Sequence, residues 1–380
     1  MTEILPVQKK KIAFVSNSAW SVYNFRMDVI RHLIGRYEIL VIAPPDEFSE
    51  LLTAEGCRFI PIYFNNRSEN PVREYFLYKQ LRVLYRQHCP DFIFHYVIKP
   101  NIYGSLAAAS ASIPSVAVVT GLGYSFARFN WLYQTVMYLY KKALRKASEV
   151  WFLNQEDANL FIRKKITYPG KVKVLPGEGV NTSFFAPVGN RPVAREKTFQ
   201  FLMSTRLLKS KGVRVYAEAA RLLLAKKLNM RFVLIGFFEK HHPDSITELE
   251  LRVWQKRGLI QYNGFARDVR PYLRQADCFV FPSFYSEGVP RCLMEASSME
   301  IPIITSRNRG CTEVVEDGFN GLLANVNDIR DLAAKMEIMI AMSSEARLEM
   351  GKRGRARMVE IFDVKKVIDA YDQTLFKTNI

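Results

Sequence analysis

Two glutamates on either side of a helix start are the residues whose types and spacing point most directly to chemistry. Glu287 and Glu295 have residues 288–294 between them. The apolar run 277–281 predicts a buried strand before Glu287. The residues from Pro290 onward predict a helix, because Pro suits a first helical position. One acid therefore lies in a strand-to-helix loop and the other just over a turn inside the helix.

The predicted helix start indicates a class of ligand. Its free backbone N–H groups and positive dipole end favour phosphate, and carboxylates on either side can accept hydrogen bonds from hydroxyls. A sugar nucleotide carries both kinds of group. The alternative for each acid is a solvated loop or a surface helix position. The apolar residues around Glu295 argue against that alternative, because a carboxylate there needs a partner.

Cations follow the first predicted strand of the C-terminal half. Arg206, Lys209 and Lys211 lie in the loop 204–212, before a predicted helix. Ligands of open parallel sheets bind at the carboxyl ends of strands, where this loop must lie. A diphosphate is the expected partner of Arg206 and Lys211, since a unit-charge pair at about 4 Å contributes roughly 4 kcal/mol at an effective dielectric of about 20. The alternative is a solvated basic helix entry, which is our interpretation of Lys209.

An alternation of strand and helix patterns predicts the elements that position these groups. Such alternation indicates βαβ units and parallel sheets. The polar, Pro- and Gly-rich stretch 176–200 predicts a domain linker. We therefore expect an α/β protein with two Rossmann-like domains facing a central cleft. The domains span 1–185, for the acceptor, and 196–355, for the nucleotide sugar, and a C-terminal helix in 356–380 packs back on the first domain. The predicted strands are 11–16, 37–43, 91–95, 115–119, 150–153, 199–204, 232–235, 260–262, 278–281 and 303–305.

Composition narrows the function class. The chain has 380 residues, a formal net charge of +17 and five scattered cysteines without metal-binding spacing. The odd, scattered cysteine count favours reduced thiols in a cytoplasmic protein. The excess charge is spread along the chain, which suits anionic ligands or an anionic membrane surface better than nucleic acid. We expect no signal peptide, and no run approaches the roughly 18–20 apolar residues of a membrane span.

The segment 124–146 is rich in aromatic residues and ends in a basic cluster. Helical spacing places the bulky residues on a broad face beside cations, a pattern typical of membrane interfaces. A core helix with a solvated basic end explains the pattern equally well. Interleaved aromatics and cations can also mean nucleic acid, but no nucleic-acid fold signature accompanies them.

Three motifs carry a resemblance to a known family. They are the basic loop Arg206 to Gly212, the Glu-x(7)-Glu segment Glu287 to Glu295, and the Gly-rich segment Gly310 to Gly321. In these motifs, and over nearly its whole length, the chain resembles the retaining GT-B glycosyltransferases of family four. Gly121 to Gly123 and Tyr23 to Arg26 resemble bacterial hexosaminyl- and galactosyltransferases that extend undecaprenyl-diphosphate-linked sugars.

The resemblance implies a role for each matching residue of the C-terminal half. Glu287 would hold donor-sugar hydroxyls and stabilise positive charge at the anomeric carbon, and Glu295 would bind the ribose. Arg206 and Lys211 would neutralise the diphosphate. The remaining donor-binding residues are Gly288, Val289, Pro290 and Arg291 at the helix start, where the amides of Val289 and Arg291 meet phosphate or sugar, and Gly236, Asn263 and Gly264 near the base.

The N-terminal half departs from the family in one loop. Many relatives carry a His after the strand that matches 115–119, but here the loop is Thr120-Gly-Leu-Gly-Tyr124. The predicted acceptor or cleft residues are otherwise polar groups and glycines at strand ends, for which structural roles are the alternative. They are Ser16, Asn17, His95, Lys99, Thr120, Gly121 and Gly123.

The resemblance implies a retaining glycosyltransferase that moves a hexose or N-acetylhexosamine from a UDP-sugar to a lipid-diphosphate-linked saccharide. The GalNAc, GlcNAc and Gal donors stay open, as do the linkage and the oligomeric state. The expected enzyme uses no metal or cofactor and acts on the inner face of the cytoplasmic membrane in surface polysaccharide, capsule or O-antigen synthesis. The alternatives are a nucleotide-sugar epimerase or hydrolase, and a non-catalytic membrane-associated binding protein.

Overall fold

The chain folds into two compact units. The structure, a computed structural model, describes residues 9–65, 68, 70–121, 131–187, 189, 198–226, 229–239, 242–285 and 287–380. Unit 1 combines Met1–Glu178 with Val364–Ile380, and unit 2 is Gly179–Asp363. The divisions differ from the predicted 185 and 355. The reason is that Val180 forms a β-bridge with Asp363 and the Thr182 hydroxyl donates to the Asp363 carboxylate, which places both segments in unit 2.

Unit 1 is built on a seven-stranded sheet in the order β3-β2-β1-β4-β5-β6-β7, with parallel neighbours throughout. The short edge strands β3 and β7 escaped prediction because they bury few side chains. Of their residues only Ile60 is buried. The strands are β1 Lys11–Val15, β2 Glu38–Ala43, β3 Arg58–Pro61, β4 Phe92–Tyr96, β5 Ser115–Val119, β6 Glu149–Phe152 and β7 Val172–Val174.

Among the described residues, seven α-helices of unit 1 pack on this sheet. Helices are numbered in chain order through the whole protein. They are α1 Ala19–Leu33, α2 Ser49–Ala54, α3 Pro71–His88, α4 Ser105–Ser110, α5 Trp131–Leu144, α6 Gln155–Arg163 and α14 Val364–Lys377. The C-terminal helix α14 enters the core through Tyr371, whose ring lies 4.5 Å from that of Phe94 and 4.8 Å from that of Trp151. Its hydroxyl lies 2.6 Å from that of Tyr96. The last helix of the chain is thus part of unit 1.

Unit 2 has a six-stranded parallel sheet in the order β10-β9-β8-β11-β12-β13. The strands are β8 Phe199–Ser204, β9 Met230–Ile235, β10 Gln261–Tyr262, β11 Cys278–Phe281, β12 Ile303–Ser306 and β13 Gly321–Ala324. Strand β13 was not predicted, because it begins at the last glycine of the Gly-rich segment and its three further residues are too few to show a period. The strand order reverses at β8, which pairs with both β9 and β11. The loops that follow β8 and β11 are therefore neighbours at the carboxyl edge.

The described helices of unit 2 cover this second sheet. They are α7 Val213–Leu224, α8 Glu248–Lys256, α9 Arg270–Gln275, α10 Arg291–Ser298, α11 Cys311–Val314, α12 Ile329–Ala341 and α13 Ser344–Arg357. Helix α10 begins one residue later than predicted, because Pro290 has the extended backbone of a capping residue, with φ −66° and ψ 118°. Glu295 still lies just over a turn inside α10.

The predicted aromatic face of segment 124–146 packs largely inward. Tyr133, Met137 and Tyr140 of α5 belong to the hydrophobic core of unit 1, whereas Tyr138 is 56% exposed. The core-helix alternative is therefore right for the described part of α5, and residues 122–130 lie outside the described residues. In the described portion of the chain, no helix has the length and apolar composition needed to cross a bilayer.

Candidate functional site

Backbone hydrogen bonds hold together the two loops that follow β8 and β11. The Ser210 carbonyl accepts from the N–H groups of Phe284, at 2.9 Å, and Tyr285, at 3.2 Å. Gly212 has φ +82°, and a Cβ atom there would lie 2.1 Å from the Pro282 carbonyl oxygen. Only glycine fits this approach without strain. The basic loop and the Glu287 loop therefore form one rigid support.

Lys211 and Glu287 form an ion pair at the centre of this support. Their side chains are each about 10% exposed, and the ammonium also lies 4.9 Å from the centroid of the Tyr285 ring. The Ser283 hydroxyl donates to Glu287 Oε1 at 2.8 Å. A cation and a carboxylate are thus fixed side by side where little water reaches them, which strengthens their action on a charged ligand.

The Gly-rich segment after β12 supports the Glu287 loop from behind. Gly310 has φ +77°, and a Cβ atom there would lie 2.1 Å from the Gly288 carbonyl oxygen and 3.0 Å from that of Glu287. The Asn308 amide donates to the Tyr285 carbonyl at 2.6 Å and to that of Ser283 at 3.3 Å. Sequence reasoning missed the positioning roles of Ser283 and Asn308. Their only signal was proximity to the Glu287 and Gly310 motifs.

The start of α10 continues the site beyond Glu287. No side chain caps this start, since Pro290 occupies the capping position. Inside the helix, Arg291 Nε donates to Glu295 Oε1 at 2.9 Å. Burial raises the pKa of Glu295 above its ordinary value, and the Arg291 guanidinium only partly offsets this effect. Arg291 therefore contributes a side chain that orients Glu295, in addition to the predicted amide.

Arg206 pairs with a carboxylate that follows β9, and its contact with a diphosphate stays a prediction. Its guanidinium donates to Glu239 Oε2 at 2.9 Å, and both side chains are about a third exposed. Sequence reasoning missed Glu239, which follows β9. Exposed pairs of this kind contribute about 0–1 kcal/mol. A diphosphate can therefore compete with Glu239 for Arg206 at little cost.

The carboxyl ends of β9 and β10 meet at the glycines predicted to lie near the base. The Gly236 N–H donates to the Gly264 carbonyl at 2.8 Å, and the Tyr262 hydroxyl donates to the Gly236 carbonyl at 2.8 Å. Gly236 has φ +150°, and a Cβ atom there would lie 1.7 Å from the Thr205 carbonyl oxygen. Asn263 is exposed beside this turn. The geometry provides a close backbone approach, and contact with a base stays a prediction.

His95 does not face a cleft, contrary to prediction. Its side chain is fully buried at the end of β4, with Nε2 at 2.9 Å from the Tyr85 hydroxyl and Nδ1 at 3.4 Å from that of Ser105. Burial lowers the pKa of His95 to about 3. A Cβ atom at Gly104 would lie 2.4 Å from its ring. His95 is therefore a neutral core residue of unit 1.

Lys99 also has a structural role. Its ammonium donates to the carbonyls of Asn65 and Ser68, both at 2.8 Å, and to the Glu74 carboxylate of α3. These contacts use all three ammonium hydrogens. Lys99 therefore holds the chain that precedes α3, and the structure gives it no role toward an acceptor.

The other predicted residues of unit 1 lie at strand ends. Ser16 is 2% exposed and its hydroxyl lies 2.6 Å from that of Ser21, so it helps to start α1. Asn17 and Thr120 are partly exposed after β1 and β5. Gly121 has φ +141°. Gly123 lies outside the described residues, and an acceptor role for these positions stays a prediction.

Four of the five cysteines have raised pKa values, which disfavours the thiolate form that nucleophilic chemistry needs. Burial raises the pKa of Cys57 and of Cys311 to about 12, so that both are thiols at neutral pH. Cys278 and Cys292 have pKa values raised for the same reason. Within the described ranges, no three His, Cys, Asp or Glu side chains come together as they would around a metal ion.

Two family descriptions match the chain in succession. "Glycosyl transferase 4-like" matches residues 11–154, and "Glycosyl transferases group 1" matches residues 190–357. The second range contains the basic loop, the two glutamates and the Gly310 segment.

Named relatives match over most of the chain. The N,N'-diacetylbacillosaminyl-diphospho-undecaprenol alpha-1,3-N-acetylgalactosaminyltransferase of Campylobacter jejuni is 31% identical over 359 residues, which cover 90% of this chain and 92% of that protein. The UDP-Gal:alpha-D-GlcNAc-diphosphoundecaprenol alpha-1,3-galactosyltransferase of Escherichia coli is 28% identical over 293 residues, 73% of each chain.

Solved structures share the fold. A glycosyltransferase of Rickettsia africae has a TM-score of 0.80 at 17% identity, covering 97% of this chain and 98% of that chain. HepE of Anabaena, crystallised with UDP, has a TM-score of 0.79 at 20% identity, covering 97% and 100%.

Proposed function

The chain belongs to the GT-B glycosyltransferases of family four, with a 4-like N-terminal part and a group 1 C-terminal part, and on that premise we propose its reaction. It transfers a hexose or N-acetylhexosamine (GalNAc, GlcNAc or Gal) from a UDP-sugar to a saccharide carried on undecaprenyl diphosphate. The names of the Campylobacter and Escherichia relatives support the carrier, and they name GalNAc and Gal as transferred sugars. The setting is the synthesis of a bacterial surface polysaccharide or glycan.

The observation that carries this proposal is the ion pair of Lys211 and Glu287 beside the start of α10. A nucleotide sugar needs opposite charges at two neighbouring points. Its diphosphate is negative, and its anomeric carbon becomes positive as the bond to the diphosphate breaks. Lys211 and the N–H groups of α10 suit the first point, and Glu287 suits the second.

We propose that transfer retains the anomeric configuration. The acceptor hydroxyl forms its bond to the anomeric carbon on the face from which UDP departs, and a donor phosphate oxygen takes the hydroxyl proton. Lys211 and Arg206 stabilise the charge that accumulates on the departing diphosphate. One preorganised donor of this kind typically changes kcat by about 10²–10³-fold. The scheme requires no metal ion and no cofactor.

The rest of unit 2 serves to hold the donor. Glu295, oriented by Arg291, accepts hydrogen bonds from the ribose hydroxyls. The turn at Gly236 and Gly264 approaches the base. Gly288 and the Val289 amide border the sugar or phosphate. This division makes Glu287 a residue of the chemical step and Glu295 a residue of donor affinity.

The acceptor belongs to unit 1 in this proposal. Asn17, Thr120 and Gly121 are predicted acceptor residues that are partly exposed at strand ends. Because a polyprenyl carrier lies in the bilayer, the enzyme works peripherally, on the cytoplasmic face of the membrane.

The test is the product formed from a panel of UDP-sugars with a short polyprenyl-diphosphate sugar. We expect one preferred donor, a mass increase of one hexose or N-acetylhexosamine, and an α-linkage in the proton NMR spectrum. Glu287→Gln should form little product under the same conditions. Complete turnover of UDP-sugar without acceptor would instead indicate an epimerase or hydrolase, and a β-linked product would contradict retention. Unchanged product formation by Glu287→Gln would indicate that Glu287 has no chemical role.

A further inference from the structure

Helix α3 exposes large apolar side chains along one side of unit 1. Val72, Tyr75, Phe76 and Val83 are 55–61% exposed, although α3 also buries Leu77, Leu81 and Tyr85 on its inner side. Exposed single apolar residues are ordinary, but a row of them at helical spacing marks a contact surface. We call this outer side, with the cations Arg73, Lys79 and Arg86, the α3 face.

The chain before α3 extends this surface. Tyr63 is 71% exposed, and it lines a surface depression of about 470 Å³ together with Phe76 and Arg73. Lys99 holds the neighbouring backbone at Asn65 and Ser68 against Glu74 of α3. The aromatic residues before and within α3 are therefore parts of one fixed surface.

The charge of the α3 face has one sign. Arg73, Lys79 and Arg86 are exposed, and Glu74 is the single acid in the α3 sequence. Glu74 is buried and paired with Lys99, so it does not offset the outer cations. The Lys79 ammonium lies 5.4 Å from the centroid of the Tyr75 ring, so that a cation and an aromatic ring lie side by side on the α3 face.

We propose that the α3 face docks the protein on an anionic membrane surface. Aromatic rings favour the level of the lipid headgroups, and cations beside them attract anionic lipid. A second copy of this chain fits less well, because two α3 faces would bring like charges together. This docking role rests on the proposed function, because a lipid-linked acceptor requires an enzyme at the membrane.

The first test reverses the charge of the α3 face. The triple variant Arg73→Glu, Lys79→Glu, Arg86→Glu should bind phosphatidylcholine vesicles containing phosphatidylglycerol at least about tenfold more weakly than the wild type in cosedimentation. The matched control reverses three exposed cations of unit 2, Lys256, Arg257 and Arg330, and should bind nearly as the wild type does. Equal loss in both triples, or no loss in the first, would overturn the proposal.

The second test removes the apolar part of the surface without changing charge. Tyr75→Ser with Phe76→Ser should weaken vesicle binding at constant salt. The control is Leu249→Ser with Phe376→Ser, which removes side chains that are 72% and 82% exposed elsewhere. If the wild type instead dimerises in light scattering, and the Tyr75/Phe76 variant is monomeric while vesicles are never bound, the α3 face is an interface between copies and the proposal is wrong.

Activity separates failure of docking from failure of the proposed reaction. With a short, water-soluble polyprenyl-diphosphate sugar, the α3 variants should keep wild-type rates, because the substituted residues belong to unit 1 and none of them is assigned to donor binding. With a long-chain acceptor in anionic vesicles, their rates should fall along with vesicle binding. Glu287→Gln should fail with both acceptors. Wild-type rates of the charge-reversal triple on vesicle-borne acceptor would refute the docking role and leave the proposed transferase reaction intact.

Discussion

Lys211 and Glu287 form an ion pair between loops that follow two neighbouring strands of unit 2, although 75 residues, 212–286, separate them in the chain. Strand β8 pairs with β11, so both loops emerge at the same edge of the sheet. Gly212 and Gly310 allow the backbone approaches that bring the loops together. The pairing of β8 with β11 therefore explains why these two distant residues meet in one site.

The stability of this pair can be tested by a double-mutant cycle. Lys211→Met should lower the free energy of unfolding by roughly 3 kcal/mol, because it leaves the Glu287 carboxylate buried without its cation. Adding Glu287→Gln to Lys211→Met should recover most of that loss, since the amide carries no charge and still accepts from Ser283. Urea unfolding followed by circular dichroism measures each variant.

The control for this cycle is an exposed pair on α7. Arg221 and Glu218 are 53% and 38% exposed, so that Arg221→Met should cost less than about 0.5 kcal/mol. If the double variant at Lys211 and Glu287 is as unstable as Lys211→Met alone, the buried charge is not the cause of the loss. Activity should stay low in all variants that lack Glu287.

The two glutamates should differ in kinetics. Glu295→Gln should raise the KM for the UDP-sugar about tenfold with a small change in kcat, because hydrogen bonds to a charged group contribute about 1.5–3 kcal/mol. Glu287→Gln should lower kcat by roughly 10²–10³-fold. Since burial raises the pKa of Glu295, the donor KM of the wild type should also fall as pH rises and this carboxyl ionises. Steady-state kinetics over a pH series measure both, and a kcat loss in Glu295→Gln equal to that in Glu287→Gln would contradict the division of roles.

Gly310 and Gly318 form a matched pair for testing how the Glu287 loop is held. Both have φ +77°, but a Cβ atom at Gly310 would lie 2.1 Å from the Gly288 carbonyl oxygen, whereas none would be met within 4 Å at Gly318. Each change to Ala costs about 1–3 kcal/mol of backbone strain. Gly310→Ala should additionally displace the loop and lower kcat at least about tenfold. Equal kcat values in the two variants would show that the loop position does not depend on Gly310.

Acid should destabilise unit 1 through His95. The pKa of this buried imidazole is lowered from 6.5 to about 3. Between these values the unfolded chain binds a proton that the folded chain does not, so the free energy of unfolding decreases as pH falls below about 6.5. From about pH 6.5 to about pH 5 the decrease should be roughly 1.5 kcal/mol larger in the wild type than in His95→Gln. Urea unfolding at both pH values measures the difference, and equal slopes would mean that His95 is not kept neutral by burial.

Most strands of the two sheets were predictable because each is a short apolar run bounded by polar or turn residues. Strand β5 at 115–119 and strand β8 at 199–204 have the predicted bounds. Helix α1 begins at Ala19, where Ser18 caps it by accepting from the Ser21 N–H. The position of such a cap is not marked by the apolar spacing from which helices are predicted.

Which aromatic residues of a helix are exposed and which are buried was harder to predict from the sequence. Both α5 and α3 carry several aromatic residues, yet Tyr140 is 1% exposed and Phe76 is 59% exposed. Which side of a helix faces the sheet depends on the neighbouring elements. The sequence pattern of 124–146 left a membrane-interface helix and a core helix equally open, and the fold packs the described part of α5 largely inward.

The sequence by itself determined the α/β class, the two Rossmann-like units and the motifs around Lys211 and Glu287, because periodicity and turn residues are local properties. The tertiary structure decided which groups meet. It paired Arg206 with Glu239, buried His95 beside Tyr85, and placed Ser283 and Asn308 around the Glu287 loop. The contact of Arg206 with Glu239 joins loops that follow different strands, and even contacts between residues closer in the chain, such as His95 and Tyr85, depend on strand order and packing, which no local pattern encodes.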